Sequence, residues 1–205
     1  MQRILAAVEQ LEAHVRALLS LARVSHAPLS LSDVDLTASA RAVLQDLQLR
    51  DLNRMLLVTV EEGMRAEGDP SLLKIVLENL IGNAWKFTAR KPEAVITIGT
   101  QRASDGTLVY RISDNGDGFD MAYAGKLFRD FQRLHSQAEF PGSGVGLANV
   151  HRIVTRHGGK VWAESKRGEG ATFYFTLRDP TSGHQLPVAQ KGRPLPASLK
   201  AEARV

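Results

Sequence analysis

The spacing of apolar residues changes along the chain and divides it into helices and strands. Spacings of three and four predict helices at Thr37–Leu49, Ser71–Phe87 and Val145–His157, and Gly158 and Gly159 end the last of them. A spacing of two predicts strands at Met55–Val60, Ala94–Arg102, Thr107–Ser113, Val161–Ser165 and Ala171–Leu177. We expect a loop at Leu29–Asp35. Strands in hairpins mixed with helices predict an α+β fold in which helices cover one sheet.

Both ends of the chain differ from this central region. The first 27 residues carry the stripe of a helix that packs against another helix: Ile4, Val8, Leu11, Val15, Leu18 and Ala22. Its partner is the rest of this chain, a second copy or a preceding helix, and the lack of a cap residue before it favours the last two. Four of the eight prolines fall in the polar stretch 180–205, which predicts a disordered tail. The predicted units are therefore residues 1–27, 28–179 and 180–205.

The charge balance argues against a nucleic-acid-binding domain. The formal net charge is +4, and the tail contributes +3 of it through Lys191, Arg193, Lys200 and Arg204 against Glu202. The remainder is nearly neutral and lacks the clustered positive charge that nucleic acid requires. Without cysteine, disulfides, thiolate nucleophiles and Cys-ligated zinc are excluded. No window approaches the ~18 uncharged apolar residues of a membrane span, so we expect a soluble chain.

A polar edge runs along the predicted helix Ser71–Phe87. At ~100° per residue, Asn79, Asn83 and Lys86 lie within about 60° of each other on this helix. Amide oxygens suit a hydrated Mg²⁺, and a lysine beside them suits phosphate. Taken alone, this edge is more simply explained as a solvated helix face.

A short polar loop follows the strand that ends near Ser113. A carboxylate at Asp114, beside Gly116 and Gly118, would accept a hydrogen bond from the exocyclic amine of adenine in a tight pocket. Guanine presents a carbonyl at that position instead. The alternative is an ordinary turn, because Asp, Asn and Gly are common turn residues.

A glycine-rich segment opens the predicted helix Val145–His157. Gly142, Gly144 and Gly146 would let phosphate oxygens approach the free amides of the helix start. The spacing fits neither a dinucleotide fingerprint nor a Walker loop. A flexible loop before a helix is an equal alternative.

Together with two further segments, these motifs resemble those of the ATP-binding domain of sensor histidine kinases. In order, the segments are 78–88, similar to the N box; 114–119, the first glycine box; 126–133, the F box; 142–147, the second glycine box; and 168–172, the last glycine box. The stretch 142–164 is most similar to phytochrome-like and related soluble sensor kinases. The resemblance covers residues 1–179 and not the tail.

The resemblance implies a two-layer α/β sandwich, shared with gyrase, chaperone and mismatch-repair ATPases, with a mixed, largely antiparallel sheet. It implies that Asn83 ligates Mg²⁺ while Asn79 and Lys86 assist at the phosphates of ATP. Arg133 would reach the γ-phosphate, and residues 129–143 would form a mobile lid. The implied nucleotide-binding set is Asp114, Gly116, Gly118, Phe87, Gly142, Gly144, Gly146, Leu147 and Thr172.

Two departures from the family pattern bear on the reaction. Hydrolytic relatives have a glutamate where this chain has Asn79, whereas Glu78 is rotated ~100° off that edge. We therefore expect transfer to a protein rather than fast hydrolysis, with Glu78 acting on the acceptor or serving only the helix. The family's phosphoacceptor histidine motif is missing: His14 is predicted to pack in a helix. The other five histidines of the sequence are predicted to lie at the surface or to be hydrogen-bonded: His26, His135, His151, His157 and His184.

The leading hypothesis is the catalytic region of a cytoplasmic protein-histidine kinase of a two-component system, with the second helix of its dimerisation hairpin. Its expected partners are ATP with Mg²⁺, a phosphoacceptor helix, a response regulator and a second copy bound through the N-terminal helix. One alternative is a degenerate nucleotide-binding or partner-docking module without transfer activity. Another is a serine kinase or anti-sigma-type regulator, against which the stripe at residues 4–22 argues.

Overall fold

The computed structural model describes residues 28–52, 54–128 and 144–178. Within these ranges the helices are α1 (Leu36–Arg50), α2 (Pro70–Phe87) and α3 (Gly146–Arg156), with a short 3₁₀ helix at Met121–Lys126. The predicted N-terminal helix, the tail, Arg133 and Gly142 lie outside the described residues. No helix in the described part is long and apolar enough to cross a membrane.

In the part of the chain that the structure describes, seven strands form two sheets. They are β1 (Ser32–Asp35), β2 (Leu56–Val60), β3 (Arg65–Gly68), β4 (Ala94–Arg102), β5 (Leu108–Asp114), β6 (Val161–Lys166) and β7 (Gly170–Phe175). The larger sheet has the order β2-β4-β5-β7-β6, and only the β2–β4 pair is parallel. The predicted α+β fold with a mixed, largely antiparallel sheet is therefore confirmed.

The predicted loop at Leu29–Asp35 is partly wrong. Ser32–Asp35 forms β1, which pairs antiparallel with β3, a strand that the sequence pattern did not predict. Each strand has four residues. Val34 is the buried residue of β1, and Ala66 is the buried apolar side chain of β3. So short a segment gives almost no periodicity, and its partner lies about 30 residues away in the chain.

Helix α2 begins where the sequence predicts. The carboxylate of Asp69 accepts hydrogen bonds from the free amides of Ser71 and Leu72, at 3.0 and 3.1 Å. Pro70 occupies the first turn, where its missing N–H is not needed. Such an N-cap typically stabilises a helix by about 1 kcal/mol.

The core lies between the helices and one face of the larger sheet. All three helices contribute fully buried residues, and α2 and the central strands together supply Leu73, Val76, Leu80, Ile81, Ile96, Ile112 and Phe175. Ser113 and Thr172, which occupy intervening positions of β5 and β7, are only partly buried. The sandwich therefore has two layers, with the apolar stripe of α2 in the core and its polar edge on another side of the helix.

A buried histidine joins two of the helices. The backbone N–H of Asp69 donates to Nε2 of His157 at 3.0 Å, so Nδ1 carries the proton and donates to the carbonyl of Ile153 at 2.8 Å. His157 thus ties the end of α3 to the start of α2. His151 is exposed on α3. The predictions for both histidines, one hydrogen-bonded and one at the surface, are confirmed.

Candidate functional site

A buried carboxyl group ends the central strand. Asp114 is the last residue of β5, which has a partner strand on each side, and only 8% of the residue is exposed. Burial raises the pKa of Asp114 to about 6, although the backbone amides of Gly116 and Ala171 oppose the rise by hydrogen-bonding the carboxylate. At neutral pH the group is therefore an ionised acceptor in a largely apolar setting.

The glycines around Asp114 let three backbone segments pack together. A Cβ on Gly116 would lie 2.6 Å from the carbonyl oxygen of Phe87, and one on Gly118 would lie 2.3 Å from that of Lys166. A Cβ on Gly170 would lie 2.0 Å from the carbonyl oxygen of Asp114. The sequence pattern predicts Gly116 and Gly118 beside a tight pocket for adenine. In the structure, the space that their side chains would fill holds protein backbone.

Asn115 anchors the loop that follows Asp114. Its Oδ1 accepts from the N–H of Val95 at 2.9 Å, and its Nδ2 donates to the carbonyl of Glu93 at 2.7 Å. The start of β4 and the end of β5 are thereby fixed to each other. The hydrogen bonds of the Asn115 side chain therefore hold the backbone next to Asp114 in place.

The polar edge of α2 lies beside the start of α3. Asn79, Asn83 and Lys86 are half-buried on this edge. Nδ2 of Asn79 donates to the carbonyl of Ile75 at 2.7 Å, and a Cβ on Gly146 would lie 2.3 Å from Oδ1 of Asn79. The first turn of α3 therefore packs directly on the polar edge, as the sequence motifs require.

The end of α2 reaches the loop after β5. The N–H of Asp117 donates to the carbonyl of Phe87 at 3.2 Å. Nζ of Lys86 lies 4.2 Å from the centre of the Phe87 ring, which holds the ammonium close to the aromatic side chain. Asp114, the end of α2 and the start of α3 thus border one region of the molecule.

A comparison with protein families identifies this arrangement. Residues 68–181, more than half of the chain, match the family described as histidine kinase-, DNA gyrase B-, and HSP90-like ATPases.

The chain belongs to this family.

Individual relatives agree with this assignment. Cyanobacterial phytochrome A of Nostoc sp. strain PCC 7120 is 42% identical over 118 residues, which are 58% of this chain and 15% of the phytochrome. The sensor histidine kinase ZraS of Klebsiella oxytoca is 36% identical over 182 residues, which are 86% of this chain and 37% of ZraS. The chain thus spans about a seventh to just over a third of the length of these relatives.

A solved structure supports the fold. The mycobacterial sensor histidine kinase MprB superposes with a TM-score of 0.60 at 26% identity, over 72% of this chain and 96% of the MprB chain. The resemblance to sensor histidine kinases inferred from the five motifs is therefore confirmed.

One residue of this ATPase-family site is not where the motif resemblance placed it. The hydroxyls of Ser113 and Thr172 lie 2.8 Å apart on neighbouring strands, in register one residue before the Asp114–Ala171 pair. Because successive side chains of a strand point to opposite faces, Thr172 lies on the sheet face opposite the carboxyl of Asp114. The neighbour of that carboxyl is Ala171, through its backbone N–H.

The remaining predicted residues of this ATPase-family chain differ in what surrounds them. Gly144 has a φ of +74°, and Leu147 packs partly buried against the core. Glu78 lies on the surface of α2, where Lys74 approaches it to 3.8 Å, and 48% of its side chain is exposed. Within the described ranges, no group of three His, Cys, Asp or Glu residues could hold a metal ion.

Proposed function

We propose that this chain is the catalytic, ATP-binding portion of a protein-histidine kinase of a two-component system. The observation that carries the proposal is the buried, ionised carboxyl of Asp114 beside the polar edge of α2. The ATPase family supports nucleotide binding, and the names of ZraS and MprB as sensor histidine kinases support this branch of the family.

Asp114 selects the base in this proposal. A carboxylate in an apolar pocket accepts a hydrogen bond from the N6 amine of adenine, and a hydrogen bond to a charged group contributes about 1.5–3 kcal/mol. Guanine and hypoxanthine present a carbonyl oxygen there, which the carboxylate repels. Adenine nucleotides are therefore the ligands that this site favours.

The phosphates would lie along α2 toward the start of α3. Lys86 supplies positive charge, and the amides in the first turn of α3 suit phosphate oxygens. Arg133 and Gly142 would contribute from the segment outside the described residues, as the family resemblance implies.

The residues on the polar edge fit a magnesium ion held mainly by phosphate. Mg²⁺ commonly keeps water and phosphate ligands and takes few from the protein, and the half-buried carboxamide of Asn83 is a suitable neutral ligand. When bound, Mg²⁺ neutralises charge on the phosphates. The lack of an acidic cluster in the described part agrees with such a ligand set.

The same edge favours transfer over hydrolysis. The carboxamide of Asn79 stands where hydrolytic relatives have a glutamate, and an amide cannot deprotonate water. Its Nδ2 is already engaged by the carbonyl of Ile75. Glu78 points away from this edge and either acts on the acceptor or stabilises the helix surface with Lys74.

The acceptor belongs to another segment, because the phosphoacceptor motif is absent from the sequence. We propose a histidine on a dimerisation helix as acceptor, a response regulator as the next partner, and a homodimer formed through residues 1–27 in the cytoplasm. Positioning and charge neutralisation, supplied by Asn83, Lys86 and Arg133, would provide most of the catalysis.

Phosphotransfer in trans tests this function. The chain is incubated with γ-labelled ATP and with a dimerisation hairpin from a related kinase, and the phosphorylated residue is identified by its acid lability and by mass spectrometry. Acid-labile label on histidine supports the proposal. Label on serine supports a serine kinase instead, and nucleotide binding without any label supports a degenerate module.

A further inference from the structure

Hydrogen bonds link the three loops that border Asp114. Together with the chain from Phe87 to Lys91 they form a closed ring of contacts, which we call the circuit. The carbonyl of Phe87 accepts from the N–H of Asp117 at 3.2 Å, and the carbonyl of Asp117 accepts from the N–H of Gly168 at 2.7 Å. The carbonyl of Gly168 accepts from Nζ of Lys91 at 2.9 Å. Lys91 follows Phe87 by four residues, so this side chain closes the circuit.

Gly168 is held from both sides in this circuit. It lies in the turn between β6 and β7 with a φ of +83°, and both its N–H and its carbonyl are used by loops that border Asp114. The turn also contacts the loop after β5 at Gly118 and Gly170. Without Lys91, the turn would lose its link to the loop that follows α2.

Lys91 also contributes charge to the site. Its ammonium lowers the pKa of Asp114, whereas the carboxylate of Asp117 raises it. Arg90 lies 3.8 Å from Asp117 and offsets part of that negative charge. Lys91 and Asp117 therefore act on the Asp114 carboxyl from two of the three loops, and Lys91 is the one that also holds the turn.

We propose that Lys91 is a positioning residue for purine recognition, acting through Gly168 and Asp114. This inference rests on the proposed adenine-nucleotide site. A surface lysine normally contributes little to stability. Lys91 differs because its ammonium, although the hydrogen bond is exposed, holds a backbone carbonyl 77 residues away in the chain.

The test compares Lys91→Met with Lys91→Arg, which keeps the charge and a donor. Lys160→Met, an exposed lysine outside the circuit, is the matched control. Calorimetry with ADP from pH 5 to pH 8 measures affinity and the pH at which binding is half lost. We expect Lys91→Met to bind about three- to tenfold more weakly, the scale of one hydrogen bond. Its half-loss pH should be higher than in the wild type, whereas Lys91→Arg and Lys160→Met should match the wild type.

The ADP affinity and the half-loss pH together distinguish the proposed role of Lys91 from a purely structural one. ADP binding by Asp114→Asn tests the proposed adenine site separately. An affinity loss in Lys91→Met with an unchanged half-loss pH, or no loss at all, would overturn the role of Lys91. Equal ADP binding by the wild type and Asp114→Asn would instead overturn the adenine site itself, and the inference with it.

Discussion

The contact between the start of α3 and the polar edge of α2 yields a quantitative prediction. The perturbation is Gly146→Ala, which adds one methyl group. That methyl would lie 2.3 Å from Oδ1 of Asn79, whereas real Cβ contacts are essentially never shorter than 3.0 Å. Oδ1 or the helix must therefore move by at least about 0.7 Å, the difference between these two distances.

Each of these two movements costs free energy. Rotation of the Asn79 carboxamide would break its 2.7 Å hydrogen bond to Ile75, and a shift of α3 would disturb the packing of its buried face. Overpacking of this kind costs about 1–3 kcal/mol. Alanine regains up to about 1 kcal/mol of helix propensity. We therefore expect a net destabilisation of about 1 kcal/mol.

Gly82→Ala is the matched control. Gly82 lies inside α2, and a Cβ there meets nothing within 4 Å. The same chemical change should therefore stabilise the protein by about 0.5–1 kcal/mol through helix propensity alone. Denaturation in urea measures both free energies of unfolding. Calorimetry with ADP should show weaker binding for Gly146→Ala where the clash is relieved by a shift of α3, because the amides of its first turn face the phosphates in the proposed site.

A single result would refute this reasoning. If Gly146→Ala is as stable as Gly82→Ala, and both exceed the wild type, then Asn79 and Gly146 are not in contact. The packing of the second glycine motif on the N-box edge would then be wrong.

Two further predictions concern Asn83 and Asp114. Asn83→Ala should reduce phosphotransfer more than nucleotide binding and should make the ADP affinity nearly independent of Mg²⁺, as measured by calorimetry with and without EDTA; an unchanged Mg²⁺ dependence would remove Asn83 from the metal site. The raised pKa of Asp114 means that the folded state holds the proton more tightly than the unfolded state, so this group's contribution to stability is lost as the pH rises from about 3.8 through about 6. Asp114→Asn should therefore be more stable than the wild type at pH 8, by on the order of 2–3 kcal/mol, with the difference vanishing near pH 4. Urea denaturation across this pH range measures the effect, and a less stable variant at pH 8 would contradict the assignment.

The larger elements of the fold could be predicted because each carries many periodic residues. Five turns of apolar spacing predict helix α2, and the helix is observed with Asp69 and Pro70 at its start. The pair β1–β3 could not be predicted, because four-residue strands show too little alternation and their pairing depends on the tertiary fold.

The errors at the site have equally specific causes. Thr172 was placed beside Asp114 by motif position, although counting by two from the buried Phe173 already assigns Thr172 to the other face of the strand. No motif or periodicity indicates a role for Lys91, because its partner is a backbone carbonyl in a distant turn. The order of the motifs along the chain identified the site region. The alternation of side chains along the strands and the backbone contacts then showed which residues lie beside Asp114.

The most direct test of the central claim is a comparison of ATP and inosine triphosphate binding, which differ at the purine 6 position. Calorimetry at pH 8 with Mg²⁺ should show that the wild type prefers ATP by about 1.5–3 kcal/mol, the contribution of one hydrogen bond to a charged group. In Asp114→Asn this preference should disappear while the variant stays folded. Equal binding of both nucleotides by the wild type, or a preference that survives in Asp114→Asn, would show that Asp114 does not read the base.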